Sequence, residues 1–204
     1  MSTESLFQLF ASAIFISAVS ISAYYRRKAA RAGGERVSRR EEGTPVLILL
    51  RLFGLATWLG ILVYLINPQW MQWSRVEIPI ELRWSGVVTG IAALPLIFWL
   101  FSSLGNNVTD TVAIRKQHTL VTHGPYRWVR HPLYTIGTLL FLSIILISAN
   151  GFIALTALPA LALLIIRTPI EEAKLIEKFG DDYRAYMQRT GRYLPRLTGG
   201  ATHL

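Results

Sequence analysis

Cysteine is absent from the 204 residues. That excludes disulfides, thiolate metal sites and a cysteine nucleophile, and it leaves the redox compartment open. Charge is also scarce. Asp, Glu, Lys and Arg make up 16% of the chain, where soluble domains carry about 25%. The deficit says that lipid, not water, meets much of the surface. No Walker-type loop and no Gly-x-Gly-x-x-Gly phosphate cradle occurs, and no internal repeat. A cleavable signal peptide is not expected either. Glu4 stands where a basic leader would begin, and the first apolar run ends in Tyr24-Tyr25-Arg26-Arg27-Lys28, not at small residues.

What is present is apolar and basic. Hydrophobic residues account for 52% of the chain and the net charge is +9. Such a charge would suit nucleic acid in a soluble protein. In a membrane protein, Lys and Arg gather in loops facing anionic lipid. Membrane lipids are therefore the expected surroundings, with no nucleic-acid partner and no obligate protein partner.

Five apolar stretches predict five transmembrane helices: Leu6–Tyr25, Val46–Ile66 (interrupted by Arg51), Trp84–Leu104, Leu133–Ala149 and Phe152–Ile166. The first three suffice to span a hydrocarbon core of about 30 Å. The last two are short, and Asn150-Gly151 between them predicts a tight antiparallel hairpin. The positive charges alternate: seven in 26–44, two in 67–83, four in 105–132, none at Asn150-Gly151, seven from Arg167 onward. This is the pattern of an outside N-terminus with the loop before helix four and the C-terminal tail on the cytosolic side. Trp70, Trp73 and Trp84 read as interfacial belt residues. After Pro169, Glu171 to Phe179 reads as a separate amphipathic tail helix ending at Gly180, with Asp181 capping a short helix through Gln188. The fold class expected is an all-α integral membrane protein. It forms one compact unit, with helices one to three in 1–104 and the remaining loop, hairpin and tail in 105–204.

Polar groups cluster at two boundaries, His118 to Tyr134 and Arg167 to Glu172. Only the hairpin separates them, and a hairpin returns to the side it left. His131, Tyr134, Arg130, Arg167, Glu171 and Glu172 should therefore converge at one mouth. Each has a bland reading: Gly124-Pro125 a turn, His131-Pro132 a helix start, Arg127 and Arg130 snorkelling cations, Glu171-Glu172 a favourable helix dipole pairing, the aromatics a belt. Together they read as a site, because ionisable groups at a membrane mouth are functional by default. His118, His123 and His131 do not share a helix face, so no metal site is expected. Cations, a carboxylate pair, histidines and aromatic faces suit a zwitterionic cofactor with an amino group, a carboxylate and an aromatic base.

The run His118-Thr-Leu-Val…Gly124-Pro-Tyr126…Arg130-His131-Pro132-Leu-Tyr134 is followed past one hairpin by Arg167…Glu171-Glu172…Phe179-Gly180…Tyr183…Tyr186. It resembles the isoprenylcysteine carboxyl methyltransferase family, whose wider kin are the phospholipid methyltransferases. The resemblance covers roughly 109–195, and the His-Thr-Leu-Val tetrad leans toward the carboxyl methyltransferase branch. It implies an S-adenosyl-L-methionine-dependent methyltransferase. The cofactor would touch His118, Thr119, Leu120, Val121, Tyr126, His131, Pro132, Leu133, Tyr134 and Glu171. Arg167 matches the family's substrate-side arginine.

A carboxylate acceptor is already nucleophilic at neutral pH, and Arg167 would aim it. An amine acceptor would have to lose a proton, with Glu172 or a histidine as base. The expected acceptor is a lipid-like or prenylated small molecule entering between helices. The alternatives are a phospholipid headgroup N-methyltransferase, a sterol-type reductase and a non-enzymatic lipid-binding protein.

Overall fold

The computed structural model describes residues 2–31, 45–105 and 120–196. Among these residues five helices run in order: α1 Thr3–Arg31, α2 Pro45–Ile66, α3 Ile80–Leu104, α4 Pro132–Ser148 and α5 Gly151–Arg189. Two 3-10 turns, Pro68–Ser74 and Gly124–Arg127, precede α3 and α4 respectively. Among the described residues there is no strand, only two isolated bridges. The protein is an all-α, multi-pass membrane protein. Among the described residues, four helices are long and apolar enough to cross a bilayer. The 17-residue α4 rises about 25 Å, short of a hydrocarbon core of about 30 Å. Large apolar side chains such as Leu9, Ile16, Leu55, Val88 and Leu155 point outward. In water such patches would drive aggregation; in hydrocarbon they are the required surface.

α4 packs against α3 and α1, while α5 lies mainly along α2. The α3–α4 approach depends on Gly86 and Gly90, a small-x-x-x-small pair that brings helix backbones close. A Cβ on Gly86 would stand 2.8 Å from Leu146 Cβ and 3.0 Å from the Ser143 carbonyl. One on Gly90 would collide with the Ser143 hydroxyl and Ile14. The fully buried Ser143 hydroxyl donates to the Gly86 carbonyl at 2.7 Å. That bond satisfies a polar group that lipid would leave stranded.

An ionic cluster ties the helices together at the end away from the mouth. Arg83, only 6% exposed, donates to both Glu4 carboxylate oxygens at 3.0 and 3.1 Å. It also donates twice to the Ile147 carbonyl, at 2.9 and 2.7 Å, and lies 4.0 Å over the Phe7 ring. Tyr64 donates to Glu4 at 2.9 Å. Four helices thus meet at one guanidinium, and one of its partners is a C-terminal carbonyl of α4 that has no partner within the helix. Beside it, Ala149 adopts a left-handed conformation. Asn150 then caps α5 by accepting from the Ile153 amide while donating to Ser74 and to the Met71 carbonyl. This is the tight turn expected at Asn150-Gly151.

The tail differs from expectation. The helix does not stop at Pro169 to begin again as a separate tail helix; α5 runs straight through Pro159 and Pro169. In the turn before Pro169 the Thr168 hydroxyl bonds the Leu164 carbonyl at 2.9 Å. The break comes at Gly180, with φ 56° and ψ −127°, a region open only to glycine. The apolar part of α5 ends at Ile166, and everything beyond stands outside the spanning segments.

Candidate active site at the mouth of the α4–α5 hairpin

The site is built on a seam. The segment 128–131, leading into α4, lies beside 190–193, the chain just after α5. The Arg130 amide donates to the Gly191 carbonyl at 2.8 Å and the His131 amide to the Arg192 carbonyl at 3.0 Å. The Gly191 amide returns a bond to the Trp128 carbonyl at 3.3 Å. Tyr193 donates to Thr168 at 2.6 Å, and Thr135 donates to the Tyr193 carbonyl at 2.8 Å. The tail is thereby bound to the starts of both halves of the hairpin's mouth.

Inside the seam sits Glu172, 3% exposed. It accepts from Arg130 Nε at 2.9 Å and from Arg192 Nη2 at 2.6 Å, and His131 Nε2 lies 3.3 Å away. Arg130 also donates to the carbonyls of Met187 and Thr190. Burial alone would raise the Glu172 pKa. The hydrogen bonds from Arg192 and Arg130 outweigh it and hold the carboxyl below its usual range. Burial lowers the pKa of His131, against the opposing pull of Glu171 and Glu172, so its ring is neutral at neutral pH.

Glu171, the neighbouring residue, faces elsewhere because consecutive helical positions do not share a face. It accepts from the Tyr134 hydroxyl at 2.5 Å. The Tyr134 ring stacks on His131, with centroids 5.4 Å apart and planes 13° from parallel, and the Tyr193 ring lies 6.0 Å from His131, tilted by 49°. Arg167 is half-buried one turn before Glu171, close enough for its charge to act on Tyr134.

Of the residues expected to meet a cofactor, His131, Tyr134 and Glu171 come together. Tyr126 is in electrostatic reach of Glu171, and burial pushes its phenol pKa up, keeping it protonated. Its carbonyl accepts from Tyr186 at 2.6 Å. Leu120 and Val121 are half-buried on the approach to the Gly124–Arg127 turn. The Pro132 ring is fully buried. Leu133 turns the other way, lining an apolar cavity of about 410 Å³ with Arg26, Trp58, Phe101, Gly137 and Phe141 among its walls. His118 and Thr119 lie outside the described residues. Arg192, Tyr193 and Thr168 have no place in the sequence expectation. The only sequence signal for them is the Arg192-Tyr193 pair shortly before Pro195.

Residues 82–182 match the family model for phospholipid methyltransferases. The match takes in about half of the chain, from the start of α3 past the Gly180 break, and contains His131, Tyr134, Arg167, Glu171 and Glu172 but not the site residues from Tyr186 onward. The chain belongs to that family. A curated relative from Tribolium castaneum, named protein-S-isoprenylcysteine O-methyltransferase, is 38% identical over 103 residues, covering 47% of this chain and 35% of its own. The cobalt-zinc-cadmium resistance protein CzcN of Cupriavidus metallidurans is 34% identical over 86 residues, covering 41% and 39%. A solved structure of a eukaryotic intramembrane Ras methyltransferase, isoprenylcysteine carboxyl methyltransferase, is 22% identical with a TM-score of 0.49, over 91% of this chain and 67% of that one. The chain spans little more than a third of the length of the curated relatives it matches. The matched residues 82–182 take in the α4–α5 hairpin and most of the residues at its mouth.

Proposed function

We propose that the protein is an S-adenosyl-L-methionine-dependent methyltransferase embedded in the membrane, acting on the carboxylate of a lipid-like, isoprenylcysteine-type acceptor, with its mouth on the cytosolic side. The observation that carries the proposal is a juxtaposition. The polar cluster of Tyr134, Glu171, His131 and Arg167 sits at the mouth of the hairpin, and Leu133, between His131 and Tyr134 in sequence, lines an apolar cavity within the bilayer-facing bundle. One short stretch of chain therefore faces both an aqueous polar site and an apolar channel.

The residues suit the cofactor. Glu171 is a half-buried carboxylate for an amino group, and the stacked His131 and Tyr134 rings offer aromatic faces to a sulfonium. When bound, the cofactor supplies an activated methyl group. The protein's part is alignment and exclusion of water, which lower the barrier by several kcal/mol without a covalent intermediate. Arg167 would aim the acceptor carboxylate as a fixed planar cation. The apolar cavity would hold the acceptor's tail.

The state of Glu172 favours a carboxylate acceptor over an amine. Both its oxygens are committed to guanidiniums, and it is held ionised by them. A carboxylate so tied is a weak base, and His131 is buried at its side. An amine acceptor needs a base; a carboxylate needs only positioning. Glu172 then acts by fixing Arg130 and His131 in place. The test is labelled methyl transfer by the purified chain onto a prenylcysteine analogue and, in parallel, onto phosphatidylethanolamine. Transfer to the first alone is expected. Transfer to the headgroup amine alone would overturn the carboxylate reading, and transfer to neither, without stabilisation by S-adenosylhomocysteine, would overturn methyl transfer itself.

A further inference from the structure

On the outer side of the seam lies a second cavity, of about 390 Å³, walled by Arg127, Arg189, Arg196, Trp128, Thr122 and Thr190. Its size falls within the range of small-ligand sites. Its three arginines come from three segments: the turn before α4, the end of α5 and the tail beyond it. Among the described residues none of them has a carboxylate within ion-pair distance. The contrast with Arg130 is direct, since that guanidinium is consumed by Glu172 and two carbonyls. Arg127 instead leans over the Trp128 ring, 5.8 Å from its centre, and Arg196 donates to the Gln188 carbonyl.

Three cations around one concavity, with no carboxylate among the described residues at ion-pair distance, repel one another, and an anion relieves that repulsion. Guanidiniums bind phosphate oxygens through paired N–H donors, which makes phosphate the anion that best uses them. The position selects the source. Trp128, 54% exposed, lies four residues before Pro132, where α4 enters the membrane. An exposed tryptophan at that depth is an interfacial side chain. We propose that this pocket seats the phosphate of an anionic membrane lipid, with Trp128 against the headgroup region and the acyl chains alongside the start of α4. This assignment does not depend on the methyltransferase reading, since it rests on the pocket alone. It differs from a general attraction of basic loops to anionic membranes in needing these particular arginines.

The full chain, purified in an uncharged detergent, would be unfolded thermally with short-chain phosphatidylglycerol, short-chain phosphatidylcholine or inorganic phosphate at equal concentration. Phosphatidylglycerol should raise the midpoint by about 3 °C or more, and the other two should leave it in place. The double variant R127Q/R189Q should lose most of that rise. A variant with equal charge loss elsewhere on the tail, K174Q/R184Q, should keep it. Equal stabilisation by phosphatidylcholine, an unchanged rise in R127Q/R189Q, or an equal loss in K174Q/R184Q would each overturn the proposal. An equal rise with inorganic phosphate would overturn the lipid as source. Should R127Q/R189Q fail to fold, the single variant R196Q takes its place: it should lose part of the rise, and an unchanged rise would overturn the proposal.

Discussion

Arg130 and Glu172, forty-two residues apart in sequence, meet at 2.9 Å with both side chains less than a tenth exposed. The pair joins the entry of α4 to the extension of α5. Breaking it by removing one member leaves a buried charge, which typically costs about 3–5 kcal/mol. Glu172→Ala should therefore destabilise the protein by about that much, because Arg130 is left in a closed seam. Arg192→Ala should cost less, since Arg192 is partly open to solvent. Denaturation midpoints of the two variants in the same detergent measure the difference; equal losses would contradict this ranking.

Acid should loosen the seam in two stages. His131 and Glu172 both have pKa values lowered by the fold. Each therefore binds its proton more readily in the unfolded chain, and stability rises with pH where they titrate. The His131 contribution is complete above its ordinary value of 6.5 and is lost as pH falls through its lowered folded value. The Glu172 contribution is complete above 4.5 and is lost in the same way at more acid pH. The unfolding midpoint should fall steadily from pH 7 to pH 4, and Glu172→Gln should flatten the lower part of the fall. A midpoint constant over that range would be inconsistent with the site as described.

Gly90 should tolerate no side chain. Gly90→Leu forces α3 off Ser143 and Ile14, and overpacking of this kind costs about 1–3 kcal/mol. Val88, two residues earlier and facing outward at 67% exposure, should accept Leu with little change. Thermal midpoints of the two variants provide the comparison.

Gly180→Ala places a Cβ in a backbone region that penalises it by roughly 1–3 kcal/mol. Because the residues after the break carry Arg192 and Tyr193 back to the mouth, the loss should appear first as faster amide exchange in 181–193. Uniformly unchanged exchange there would argue against the break as the device that returns the tail.

Under the proposed function, Arg167→Ala should leave S-adenosylhomocysteine affinity within about twofold while lowering kcat by about a hundredfold, the scale of a misaligned reactant. Calorimetric titration and single-turnover rates separate the two effects. Loss of affinity instead would move Arg167 to the cofactor side.

The spans were legible because apolar runs and charge alternation are properties of composition along the chain, and the bilayer imposes them locally. The meeting of Tyr134 with Glu171 was legible because a hairpin must return its ends. Three features were not. Pro169 reads as a helix stop, yet α5 continues through it with the loss of a single backbone hydrogen bond. Gly86 and Gly90 are visible as a pair, but only the fold names Ser143 and Ile14 as what they press against. Arg192 reaches Glu172 through the docking of the tail, a tertiary event with no periodic signature, so the partner that most clearly commits Glu172 lay outside any motif.

The Glu4–Arg83–Ile147 cluster has a mechanical consequence. It rivets α1, α3 and α4 at one end with charge-assisted bonds in a poorly hydrated setting, while towards the mouth an apolar cavity is lined by side chains of the same helices and of α2. A bundle fastened like a clothes-peg has one direction of give. Under the proposed function, a guest entering from the lipid would spread the helices near Leu133 and leave the Arg83 end closed, so admission of a greasy molecule would not need to break the seal on the opposite face of the membrane.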